Sequence, residues 1–231
     1  MRDTTRQRSI DWTWAVTPPR WMPRRAYVTA VSQLYHGERA TLAMCRDLRE
    51  IFADPATRGL LDAQIADEAR HIGLYGQYLE KIGDLAPPEP AMQAALAGEF
   101  VWPGSPLGTV MAVHILIEGE GLRLQKDYGR WFPCALLRRI HQDITPDEAR
   151  HVAFGHRVLG AELGSVSKEE RFAMYRWLER LWRDCASGLR DDLPGPIRLA
   201  LGRRWIDERW TRHRRVLTQA GLLSDDEARS A

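Results

Sequence analysis

The pentapeptide Asp-Glu-Ala-Arg-His occurs twice, at residues 67–71 and 147–151. Each copy sets a glutamate and a histidine three positions apart, Glu68 with His71 and Glu148 with His151. On a helix, side chains at that spacing point to nearly the same side, about one turn apart. A carboxylate and an imidazole so placed can reach one metal ion. Upstream of each copy stands a further glutamate beside a glycine: Glu38 in HGE, and Glu118 and Glu120 in EGE. Glu38 shares a helical stripe with Val31, Leu34, Tyr35, Leu42 and Cys45, so it points inward, where a carboxylate is costly unless its charge is compensated. A dication shared with Glu68 and His71 would compensate it. A single Glu-x-x-His on a helix is a common accident. Two identical copies, each following an inward glutamate, are not. Glutamate-rich sites with one imidazole per metal suit iron or manganese better than zinc, which prefers four nitrogen and sulfur ligands.

The residues between these groups read as helices. Periodicity predicts long helices over about 24–52, from Asp54-Pro55 to about Gly83, 107–131 and 133–163, and a short one near 90–100. Asp54 followed by proline is a cap with proline at the first helical position. SVSKEE, with Ser167 and Glu170, carries a capping-box pattern opening a helix to about 188, and a last helix covers about 196–220. Strand patterns are nearly absent, so the expected class is all-α. Glu38 and Glu68 lie on one helix pair and the EGE glutamates and Glu148 on another, joined by a proline-rich crossover at 84–106. That is the layout of a four-helix bundle with one long connection. Residues 1–23, with Trp12, Trp14 and Trp21 among prolines and arginines, read as an arm whose indoles cover apolar surface. Residues 164–231 read as accessory helices packed on the 24–163 bundle.

Bulk composition narrows the class. A formal net charge of +2 over 231 residues gives no support to nucleic-acid binding. Three separated cysteines with no CxxC pair argue against a disulfide framework or a rubredoxin-type iron module. No signal peptide and no apolar run of membrane-spanning length is evident, and a reducing cytoplasm is the expected compartment.

Across about residues 24–163 this pattern resembles the ferritin-like di-iron carboxylate superfamily, and within it the oxygen-activating oxidases and oxygenases. Ferritin itself lacks the second Glu-x-x-His, and rubrerythrin adds an iron module absent here. The resemblance implies six metal ligands: Glu38, Glu68, His71, Glu148, His151 and one glutamate of the third long helix. For that ligand the spacing of 30 residues seen between Glu38 and Glu68 selects Glu118. Local alignment of EGE with HGE, and a stripe of Val113, Ile117, Leu124 and Tyr128, select Glu120, which is preferred. By the same resemblance Asp67 would hydrogen-bond His151 and Asp147 would hydrogen-bond His71, with Arg70 and Arg150 beside them. The implied cofactors are two iron ions, or a manganese–iron pair, with dioxygen as co-substrate. The implied partners are a small organic substrate and an external electron donor such as a ferredoxin or reductase. A ferroxidase, for which iron is the substrate, and a scaffold stapled by structural metals are the competing classes.

Other residues carry weaker signals. Tyr75 lies four after His71, the offset of the radical tyrosine in ribonucleotide reductase small subunits, but a core position explains it as well. Pro146, two before Glu148, should kink its helix or split it near Thr145. Where the arylamine oxygenases carry an extra histidine ligand this chain has Ile144. Gly73, Gly119, Gly121 and Gly155 could leave room for substrate or permit close helix packing. Trp177, Trp182, Trp205 and Trp210 among many arginines suit packing on the bundle, or a homodimer interface, better than RNA.

Overall fold

In the computed structural model, which describes residues 10–191, 195–224 and 226–227, every regular element among those residues is helical. The order is α1 (Arg24–Ile51), α2 (Pro55–Ile82), α3 (Pro90–Leu96), α4 (Leu107–Val110), a π-helical stretch (Met111–Ile117), α5 (Glu118–Trp131), α6 (Ala135–Glu162), a 3₁₀ turn (Leu163–Ser165), α7 (Lys168–Asp191) and α8 (Gly195–Gln219). None of the described helices is long and apolar enough to cross a membrane.

Local chemistry sets the ends of these helices. Asp54 accepts from Thr57 N at 2.8 Å and Pro55 opens α2, a cap worth about 1 kcal/mol. At the other end Gly83 takes φ 142°, a conformation that favours glycine. The crossover after it is tied to α1 by buried polar side chains. Ser32 Oγ accepts from Ala86 N (3.0 Å), His36 Nε2 donates to Ala86 O (2.8 Å), and Gln33 bonds both Pro87 O and Glu89 N. Glu89 then caps α3, accepting from Ala91 N and Met92 N. At α7 only half of the expected capping box forms. Ser167 accepts from Glu170 N, while the Glu170 carboxylate reaches back to Ser105 N at 2.7 Å.

Two further expectations are corrected. Pro146 does not split α6, which runs unbroken through it. Thr145 donates to His141 O one turn earlier at 2.6 Å, and Arg150 Nη1 donates to Pro146 O. Of the three arm indoles, Trp12 packs against the core and Trp21, though 54% exposed, lies 6.3 Å from the buried Phe132 ring, whereas Trp14 is 42% exposed. Residues 1–9 of that arm lie outside the described residues.

The helices pair as α1 with α2 and α5 with α6, and α2 also packs on α6. The π stretch touches α1, α6, α7 and α8, and α7 pairs with α8. Buried side chains form two apolar clusters. One holds Met44, Leu48, Leu61, Met111 and Phe154, and the other Tyr27, Val31, Tyr75, Tyr78, Leu136 and Ile144. Glu38, Glu68 with His71, and Glu148 with His151 fall between them on α1, α2 and α6. The polar residues therefore form a layer held from both sides by core packing.

Candidate metal centre

Two groups of ligand-type atoms assemble in that layer, the atoms of each lying within 4.8 Å of one another. The first is Glu38, Glu68, His71 and Glu148; the second is Glu68, Glu118 and His151. Glu68 belongs to both. His71 Nδ1 lies 3.3 Å from Glu38 Oε2 and from Glu148 Oε1 and 3.6 Å from Glu68 Oε2. His151 Nδ1 lies 3.1 Å from Glu68 Oε1 and 3.4 Å from Glu118 Oε1. Both imidazoles thus turn Nδ1 inward. Their Nε2 atoms face aspartates of the other Asp-Glu-Ala-Arg-His copy, His71 to Asp147 and His151 to Asp67, each at 3.3 Å. Arg70 pairs with Asp143 and Asp147, and Arg150 with Asp67 and Asp147. An acceptor-only carboxylate at Nε2 places the proton there and leaves Nδ1 as the donor atom for a metal.

The glutamate preferred from the apolar stripe is not the one in the cluster. Glu120 instead pairs with Arg209 of α8, with His213 Nε2 at 3.3 Å. Two physical causes separate them. A π-helical turn takes up more residues than an α turn, so the phase read through Val113 and Ile117 does not carry into α5. In addition, side chains of α8 bury the Glu120 face of α5, so burial there does not mark the metal-facing side.

Sequence reasoning also missed Gln64. Its Nε2 donates to Glu118 Oε1 at 2.8 Å and to Glu68 Oε1 at 3.3 Å, and its Oε1 lies 3.0 Å from His114 Nε2. With both carboxylates ionised, the Gln64 amide presents its NH₂ to them and its oxygen to His114. The available signal was spacing, because Gln64 precedes Glu68 by four and shares its helical face. The equivalent residue before Glu148 is Ile144, so the two halves are unlike here. His114 belongs to the π stretch and presses on α6 where Gly155 lies; a Cβ at 155 would stand 2.4 Å from His114 Cβ. Gly155 is therefore a packing glycine. His36 and His141 lie apart from the cluster, His36 of α1 bonded to Ala86 O of the crossover and His141 against Gln125 O at 3.2 Å. Tyr75 is fully buried in the second apolar cluster, 6.0 Å from the His141 ring.

The electrostatics are those of a site crowded with negative charge. Burial, and then the neighbouring Glu148, push Glu38 well above the usual carboxylate range; burial with Glu148 and Glu68 does the same to Glu118. Burial opposes charge on the histidines too. Yet Glu38 and Asp147 hold His71 well above its usual value, and Asp67 and Glu68 raise His151 to about 9. All four shifts favour the protonated forms. Glu68 Oε2, Glu148 Oε1 and His151 Nδ1 are buried without a hydrogen-bond partner. Leaving such atoms unmet is costly, and all three aim into the cluster. The donor set, carboxylate oxygens with one imidazole per group, fits hard or borderline dications.

Comparison of the chain with protein-family models, with curated proteins and with solved structures finds no match.

Proposed function

We propose that this protein is a di-metal oxidase or oxygenase built on a ferritin-like four-helix bundle of α1, α2, α4–α5 and α6, with α7 and α8 as accessory helices. The observation that carries the reading is the pair of ligand groups sharing Glu68, with buried ligand atoms facing a common centre. Glu38, Glu68, His71 and Glu148 would hold one ion, and Glu68, Glu118 and His151 the other. Two ferrous ions, or a manganese–iron pair, would supply dioxygen chemistry when bound, with electrons delivered by a separate donor protein. The chain's own residues do the rest. Asp147 and Asp67 keep the Nε2 protons of His71 and His151 and so hold Nδ1 free for metal. The apolar clusters on either side of the polar layer exclude water from it. Metal uptake displaces the protons on Glu38, Glu118, His71 and His151, so affinity falls as pH is lowered.

The test is an anaerobic Fe(II) titration of the metal-free protein followed by dioxygen, read optically. Saturation near two irons per chain, followed by oxygen consumption limited to bound iron, supports the oxygenase. Ferric absorbance that grows with every further equivalent makes it an iron-handling protein instead. Two bound ions that ignore dioxygen make the metals structural, and failure to bind iron removes the metal reading altogether.

Gln64 gives a second prediction. Gln64→Leu removes the amide that orients Glu118 and Glu68 but touches neither Glu38 nor His71. It is expected to weaken the Glu118–His151 position by roughly 10–100-fold and the other position, which it reaches only through the shared Glu68, much less. Equal weakening of both steps in a calorimetric Fe(II) titration would contradict this.

A further inference from the structure

Beside the polar layer lies a cavity of about 100 Å³, floored by Glu38, Glu118 and Glu148 and walled mainly by apolar side chains, among them Leu34, Met92, Phe100, Leu124 and Trp182. Two glycines line it, Gly37 on α1 and Gly121 on α5. A Cβ built on either meets nothing within 4 Å, and neither has a positive φ. Their absent side chains serve neither a turn nor a close helix contact, in contrast to Gly155. Glycine inside a helix destabilises it relative to alanine, so both positions carry a cost whose visible result is open space next to Glu38 and Glu118.

The ionisable groups of the wall are of one kind. Glu38, Glu89, Glu118, Glu120 and Glu148 line the cavity, and among the described residues no lysine, arginine or histidine does. Of the arginines in contact with the wall, Arg209 is paired with Glu120 and Asp127, and Arg123 lies 3.8 Å from Glu120. In the metal-free chain an anionic ligand would enter a mainly apolar space beside carboxylates, with no cation among the described lining residues, which is unfavourable. A hydroxyl or amine would find acceptors. As for size, an apolar protein cavity of about 150 Å³ takes benzene, so this space suits a molecule of about that size or smaller.

We propose that this cavity is the binding site for a small, uncharged, mainly apolar molecule carrying at most one hydroxyl or amine, and that Gly37 and Gly121 hold it open. This names the substrate class for the oxygenase reading and rests on that reading only for what happens to the molecule after it binds.

The test is thermal unfolding of the full metal-free chain with phenol, aniline or benzoate at matched concentrations, for the unaltered protein and for Gly121→Leu. Phenol and aniline should raise the unfolding midpoint of the unaltered protein, and benzoate should not. Gly121→Leu should raise the ligand-free midpoint by roughly 2–4 °C through helix propensity and lose the phenol shift, while still taking up iron as the unaltered protein does. A benzoate shift equal to that of phenol overturns the proposal. So does the absence of any shift, a phenol shift that survives Gly121→Leu, or a variant that is less stable or fails to fold, since leucine would then have no open space to occupy. Because ligand binding is read without metal, failure of iron to bind would sink the oxygenase reading and leave this result standing.

Discussion

Glu68→Gln is expected to abolish binding of both metal ions, the largest effect of any single substitution in this chain. Glu68 is fully buried and is the one residue common to both ligand groups. Its Oε2 faces His71 and its Oε1 faces His151. An amide there removes a negative charge from both positions and puts a donor where each ion needs an acceptor. Loss of any other glutamate should be milder: Glu38→Gln affects the first position and Glu118→Gln the second, while Glu120→Gln leaves both. Metal content per chain after Fe(II) loading distinguishes these outcomes. A ligand binding only the native state at a thousand times its Kd adds about 4 kcal/mol of stability, so metal should raise the unfolding midpoint of the unaltered protein and not that of Glu68→Gln. Retention of two ions by Glu68→Gln, or loss of one by Glu120→Gln, would refute this assignment of ligands.

Arg209→Met should be the most destabilising change away from the cluster. Arg209 is 6% exposed and stacks over the Trp205 ring at 4.7 Å while pairing with Glu120 and Asp127. Glu120 is 5% exposed. Removing one partner of a buried ion pair strands the other charge at a cost of about 3–5 kcal/mol, which for a chain of this size lowers the midpoint by on the order of 10 °C. The double variant Arg209→Met/Glu120→Met should recover much of that loss, because the buried Glu120 charge is removed with its partner, while the more exposed Asp127 keeps Arg130 and Arg212 nearby. Both variants should still take up two metal ions. If Arg209→Met loses an ion at unchanged stability, Glu120 belongs to the metal centre and the separation of the two glutamates drawn above is wrong.

Much of the site was legible before any coordinates. The Glu-x-x-His pairs are local, and helix periodicity alone places each glutamate beside its histidine. The inward direction of Glu38 follows from the apolar residues on either side of it along α1. Helix starts at Asp54 and Ser167 were readable because a cap is made by residues three apart in the chain. The all-helical class follows from the same periodicity.

What the chain by itself could not decide depended on neighbours distant in sequence or on a change of helical pitch. Whether Glu118 or Glu120 turns toward Glu68 rests on the π stretch at Met111–Ile117 and on Arg209 and His213, which reach Glu120 from about 90 positions away. Gln64 and His114 meet across 50 residues, and Gly155 is seen to serve packing only once His114 is set against it. A Cβ at Gly121, by contrast, meets no atom of the described residues within 4 Å. Local spacing is dictated by the backbone and can be read residue by residue. A cavity, or the partner of a buried charge, exists only in how separate helices are brought together.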